Sequence, residues 1–172
     1  MGVPEVSNII FGNMLSLVGA IFLSSSCIAK TKKGVVILQL FQCIFMAAAQ
    51  IVFGKGAGAV SMSVAGVRNI LIYFDRFGAF MALLLSAITL ALGLYLNSGG
   101  IIGLIPTAVG VFYTLTLYTA KDVYRLKIIL CVLLYGWIVY SALIFDIFGM
   151  LSNMLAQILN VITLKKMRAS RI

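Results

Sequence analysis

Gly58-Ala59-Val60-Ser61-Met62-Ser63-Val64-Ala65-Gly66-Val67-Arg68-Asn69 returns 91 positions later as Gly149-Met150-Leu151-Ser152-Asn153-Met154-Leu155-Ala156-Gln157-Ile158-Leu159-Asn160. Glycine, serine, alanine and asparagine fall at the same four places in both stretches. Worked outward, 9–74 slides onto 100–165 without a gap. Val18-Gly19 falls on Val109-Gly110, Ala29-Lys30 on Ala120-Lys121, and Gly12 on Gly103. With Ile10/Ile101 and Ile37/Ile128 there are 11 identities in 66 aligned positions. Chance supplies part of that total in so apolar a chain. The weight rests on the coincidence of glycines, a loop lysine and a mid-segment asparagine, the signature of an internal repeat.

The 172 residues are 63% hydrophobic and 10% charged, with mean hydropathy +1.16. Apolar runs near 20 residues with short polar breaks read as transmembrane helices. A membrane barrel would instead alternate polar and apolar residues over about ten-residue segments. Seven spans are expected at roughly 9–28, 35–53, 57–74, 78–96, 100–119, 127–144 and 147–164. The breaks between them are short, so neighbouring helices run antiparallel. The start, Met1-Gly2-Val3-Pro4-Glu5, has no basic region of the kind that opens a cleaved signal peptide.

The net charge of +9 comes from cations beside apolar spans and is no footprint of nucleic-acid binding, which needs a basic face on a soluble module. The breaks after spans one, three and five, with the tail, carry Lys30, Lys32, Lys33, Arg76, Lys121, Arg125, Lys127, Lys165, Lys166, Arg168 and Arg171; the opposite side has Lys55 alone. By the positive-inside rule the N-terminus faces out and the C-terminus lies in the cytoplasm. Repeat-mates are four spans apart along the chain, with three spans between them, so mates cross in the same direction. The expected fold is an all-α membrane protein, one transmembrane domain over 1–172. Two parallel three-helix repeats, 9–74 and 100–165, are joined by a connector helix at 78–96, and a basic cytoplasmic tail covers 165–172.

A parallel 3+1+3 bundle, N-out and C-in, resembles the SWEET and PQ-loop superfamily of small-solute carriers. At finer grain, Ser61 to Phe74, the glycine-containing first span and the basic first loop resemble the YgjV-like bacterial inner membrane proteins. The resemblance implies an inner-membrane location. It also implies that an asparagine in the third helix of each repeat faces a central pocket, here Asn69 and Asn160. A tryptophan in the sixth helix lines that pocket, here Trp137. A first-helix proline acts as hinge: Pro106 supplies it in span five, while its mate in span one is Leu15, leaving Gly12 and Gly19 to give flexibility there. Homo-oligomers occur among such carriers.

The residues themselves leave two uses open for most of these positions. An amide in hydrocarbon needs partners, so Asn69 and Asn160 either bracket a solute or bind helices together. Arg68, whose mate is Leu159, either holds an anionic group bidentately or snorkels to the cytoplasmic interface. Gln39 and Gln42 share one face of span two, and Gln157 lies one turn before Asn160, adding to a polar girdle. Trp137 either stacks on a solute or belongs to an interfacial belt. Glycine pairs at Gly54/Gly58 and Gly99/Gly103 are expected to serve turns. Cys27, Cys43 and Cys131, all within apolar spans, are expected to be small packing residues.

No histidine is present, and the four carboxylates, Glu5, Asp75, Asp122 and Asp146, sit at or near loops. Paired acid–base chemistry or a nucleophile dyad cannot be assembled from them, so no enzyme, metal or cofactor is expected. A proton relay would also need buried acids, and Asp146 is the single candidate. The expected function is facilitated passage of a small polar, anionic or sugar-like, metabolite by alternating access. The partners are that solute and the lipid bilayer. Two rivals are a non-transporting scaffold or regulator, and a lipid-handling protein with a polar stripe open to the bilayer.

Overall fold

A computed structural model describes residues 6–120 and 122–169. Glu5, Lys121 and Arg171, which entered the charge reading, lie outside the described residues. Seven α-helices follow one another: α1 (Val6–Ile28), α2 (Lys32–Val52), α3 (Gly56–Tyr73), α4 (Ala79–Tyr95), α5 (Gly100–Tyr118), α6 (Val123–Leu143) and α7 (Ile147–Ala169). Each expected span is a helix, with ends shifted by a few residues. Five of the seven are long and apolar enough to cross a membrane. The other two are α4, at 17 residues, and α3, whose apolar run is broken by Arg68-Asn69.

Local chemistry sets the ends. Thr31 caps α2 by accepting from the Gly34 amide at 3.1 Å, and Asp122 caps α6 by accepting from the Arg125 amide at 2.8 Å. Helices α2, α3 and α6 each stop at a left-handed residue, Gly54 (φ 68), Asp75 (φ 55) and Phe145 (φ 61). In each case the next amide reaches back to close the last turn: Lys55 to the Gln50 carbonyl at 2.8 Å, Arg76 to Leu71 at 2.8 Å, Asp146 to Ser141 at 3.0 Å. Adding 91 to 32–52 gives 123–143, so α2 and α6 coincide at both ends, and α3 and α7 start at equivalent places. The caps Thr31/Asp122 and the left-handed residues Gly54/Phe145 are themselves 91 apart.

The helices pack as a closed ring in the order α1, α2, α3, α5, α6, α7 and back to α1, with α4 outside against α3 and α5. Large apolar side chains such as Phe11, Phe80, Leu83, Ile101 and Ile158 cover the outside, as hydrocarbon requires. Two further differences from the sequence reading concern lysines. Lys127 is not a loop charge: it lies in the second turn of α6, 1% exposed. Its ammonium donates to the Cys27 carbonyl near the end of α1, where Thr163 also donates at 3.2 Å, satisfying a carbonyl left free by the helix terminus. The stretch 165–169 continues α7, which places Lys165, Lys166 and Arg168 on its last turns.

Candidate functional site

All six ring helices contribute to one small central cavity. Its polar wall is built from Gln39 and Gln42 on α2, Ser61, Arg68 and Asn69 on α3, Tyr113 on α5, Trp137 on α6 and Asn153 on α7. Apolar Leu23, Met62, Leu130, Leu133 and Leu134 complete it. Residues near the middle of their helices line it, so it sits at mid-depth of the bundle.

Arg68 is 2% exposed. It neither snorkels nor pairs with Asp75, which binds Lys33 at 3.4 Å on the surface. Instead its Nη1 donates to Thr114 Oγ1 at 3.1 Å, and the guanidinium lies 4.2 Å from the centre of the Tyr113 ring. The Tyr113 hydroxyl in turn donates to Gln39 Oε1 at 3.3 Å. Four side chains from α2, α3 and α5 thus form one network. The cation–π contact offsets only part of the cost of a buried charge, about 2 kcal/mol when desolvated.

The two asparagines diverge. Asn69 lines the cavity; its Nδ2 lies 3.8 Å from Cys43 Sγ and its Oδ1 has no partner. Asn160 is fully buried but does not line the cavity. Its Nδ2 is held by the Lys127 carbonyl at 2.8 Å and by Cys131 Sγ at 3.2 Å, fastening α7 to α6. Gln157 is half-buried and also outside the cavity wall. The amide that α7 does supply is Asn153, one turn before Gln157 on the same face. That i, i+4, i+7 row of Asn153, Gln157 and Asn160 was the signal in the sequence that could have found it. Cys43 and Cys131 face the two asparagine amides in addition to packing. Pro106 lies buried inside α5, where its carbonyl accepts from Ser61 Oγ at 2.8 Å, tying α3 to α5.

At the end of the bundle away from Lys30–Lys33, Tyr140 of α6 donates to Gln50 Oε1 of α2 at 2.9 Å. These helices are opposite one another in the ring, so the bond spans it. Gly58 of α3 makes room: a methyl there would collide with both the Gln50 oxygen and the Tyr140 hydroxyl. Gly54 is the turn residue that was expected, but Gly58 serves close approach. Trp137 packs edge-on against Tyr140, ring centres 5.8 Å apart, and so links this crossbar to the central cavity. Tyr140 also lines a second cavity, together with Lys55, Asn97 and Ser98.

Asp146, fully buried in the turn before α7, accepts from the Gly149 amide at 2.8 Å and so caps that helix. Burial raises its carboxyl above the usual range, against the pull of the Gly149 amide and the Ser16 hydroxyl. It does not line the central cavity.

Neither the curated proteins nor the solved structures compared with this chain include a match. The family pattern named Imp-YgjV, described as bacterial inner membrane protein, matches residues 10–171. That span takes in all seven helices almost end to end, and the chain belongs to this family of bacterial inner membrane proteins.

Proposed function

We propose that this protein is a passage for a small polar metabolite, sugar-like or anionic, across the bacterial inner membrane. It works by alternating access between two parallel three-helix repeats, 9–74 and 100–165, with α4 as connector. It is not an enzyme. The N-terminus faces out and the C-terminus the cytoplasm. The observation that carries this reading is the convergence of all six ring helices, three from each half, on one cavity whose largely apolar wall carries buried polar side chains. Polar side chains are costly in hydrocarbon and usually mark pathways.

The helix order of the ring supports the repeat: its junctions, α3 with α5 and α7 with α1, are equivalent under the 91-residue offset. The two ends offer closures of different kinds. At the outer end the Tyr140–Gln50 crossbar spans the ring, and Tyr140 also lines the second cavity. At the cytoplasmic end an apolar seam including Leu23, Val35, Val36, Leu117, Leu126 and Leu130 draws on the ring helices. Pro106, which denies α5 one backbone hydrogen bond, supplies the hinge.

The test is a thermal-shift screen of the purified protein against a metabolite library, repeated with Asn69→Ala and Arg68→Ala. At least one polar solute should stabilise the natural protein and lose that effect in both variants. A full library without such a solute, with both variants folded, overturns the reading.

A further inference from the structure

We propose that the ligand of the central cavity is a small carboxylate that also carries a hydroxyl group. This rests on the reading of the cavity as a solute site and narrows the solute from polar to a hydroxy acid. Arg68 supplies one permanent positive charge, buried, with Nε lacking any partner. The carboxylates of the described residues are engaged elsewhere: Asp75 with Lys33, Asp122 at the start of α6, Asp146 at the start of α7. A buried charge without a counterion is strongly destabilising, so the site is completed by an anion.

The remaining groups extend the pattern. Gln39 spends its oxygen on Tyr113, which leaves its Nε2 as an unpartnered donor; Asn153 Nδ2 is another. Both belong to cavity-lining side chains, and both suit a carboxylate oxygen. Asn69, another cavity-lining side chain, has an unpartnered acceptor in its Oδ1, which asks for a donor that a hydroxyl provides. An ammonium in that place would find amide oxygens but no carboxylate, so an amino acid fits less well than a hydroxy acid. A neutral sugar would leave Arg68 unpaired. The wall contains no aspartate, glutamate or histidine to carry a compensating proton. The anion therefore crosses with its charge, and the inside-negative potential of a cell drives it outward.

The probes are glycolate, lactate and glycerate, with propionate as the carboxylate-only and glycerol as the hydroxyl-only counterpart. Purified protein is melted with each probe, and proteoliposomes report the flux of glycerate and glycerol under potentials set by potassium and valinomycin. At least one hydroxy acid should raise the melting temperature more than propionate and glycerol do. Glycerate uptake should be saturable and faster with the interior positive. Arg68→Gln should weaken hydroxy-acid binding about ten- to a hundredfold, as expected for one charge-assisted hydrogen-bonding group. Asn69→Leu, which keeps the charge, should erase the preference over propionate and carries the test if Arg68→Gln does not fold. Saturable glycerol flux with no response to any hydroxy acid overturns this inference and leaves the passage reading standing. Hydroxy-acid stabilisation that depends on Arg68 without any flux upholds the ligand and overturns passage. No thermal shift with any hydroxy acid and no flux overturns the inference.

Discussion

Phe145 holds a left-handed backbone, φ 61, at the position where the equivalent turn of the first half has Gly54 at φ 68. Both residues end a helix with the same pair of backbone bonds, but glycine adopts the conformation without strain and phenylalanine does not. The Phe145 side chain is 72% exposed, so little packing holds it there. Phe145→Gly should stabilise the protein by about 1 kcal/mol, the left-handed penalty less the entropy of a new glycine, read as a higher melting temperature in detergent. A lower melting temperature would show that the aromatic side chain anchors this turn. Arg68 makes the complementary point. Its presence inside a span was legible as an anomaly, but its partners Thr114 and Tyr113 lie 46 and 45 residues away, and no spacing rule reaches across helices.

Among the elements, α2 and α6 share both boundaries under the offset and face each other through Tyr140 and Gln50. Removing the hydroxyl leaves the fully buried Gln50 amide with neither end satisfied, at a cost of about 1–3 kcal/mol. Tyr140→Phe should therefore loosen the proposed outer closure without altering the cavity wall. Cys43, on that wall, is a built-in reporter. In a Cys27→Ala, Cys131→Ala background, a membrane-impermeant thiol reagent added outside should label Cys43 faster in Tyr140→Phe than in the parent. Equal rates would show that the crossbar does not close the path. The helices and their approximate ends were legible in the sequence, because apolar run length and polar breaks fix them. The crossbar was not, because Gln50 and Tyr140 are 90 positions apart and meet only when the ring closes.

For the molecule as a whole, cations gather at one end: Lys30, Lys32 and Lys33 before α2, Arg76 after α3, and Lys165, Lys166 and Arg168 on the last turns of α7. Lys55 stands at the other end, in the second cavity. By the positive-inside rule the cation-rich end is expected to face the cytoplasm. Single cysteines at Ser98 and at Lys32, each in a background without the native three, test it. An impermeant reagent should label Ser98→Cys on intact cells and Lys32→Cys only after the membrane is opened. The reverse pattern would invert the protein and exchange its proposed outer and cytoplasmic closures.

Hydropathy, polar punctuation and the 91-residue offset determined that this is an all-helical membrane chain and, to within a few residues, where its helices begin and end, because those features depend on neighbours in sequence. Which polar residues share a wall was decided by tertiary structure alone. Asn69 and Asn160 occupy equivalent places, yet Asn69 faces the cavity while Asn160 is bound down to α6 beside Lys127. Asn153 stands on the wall instead. Sequence equivalence fixes a residue's place along its helix; the side chains packed against that helix decide where its polar atoms find partners.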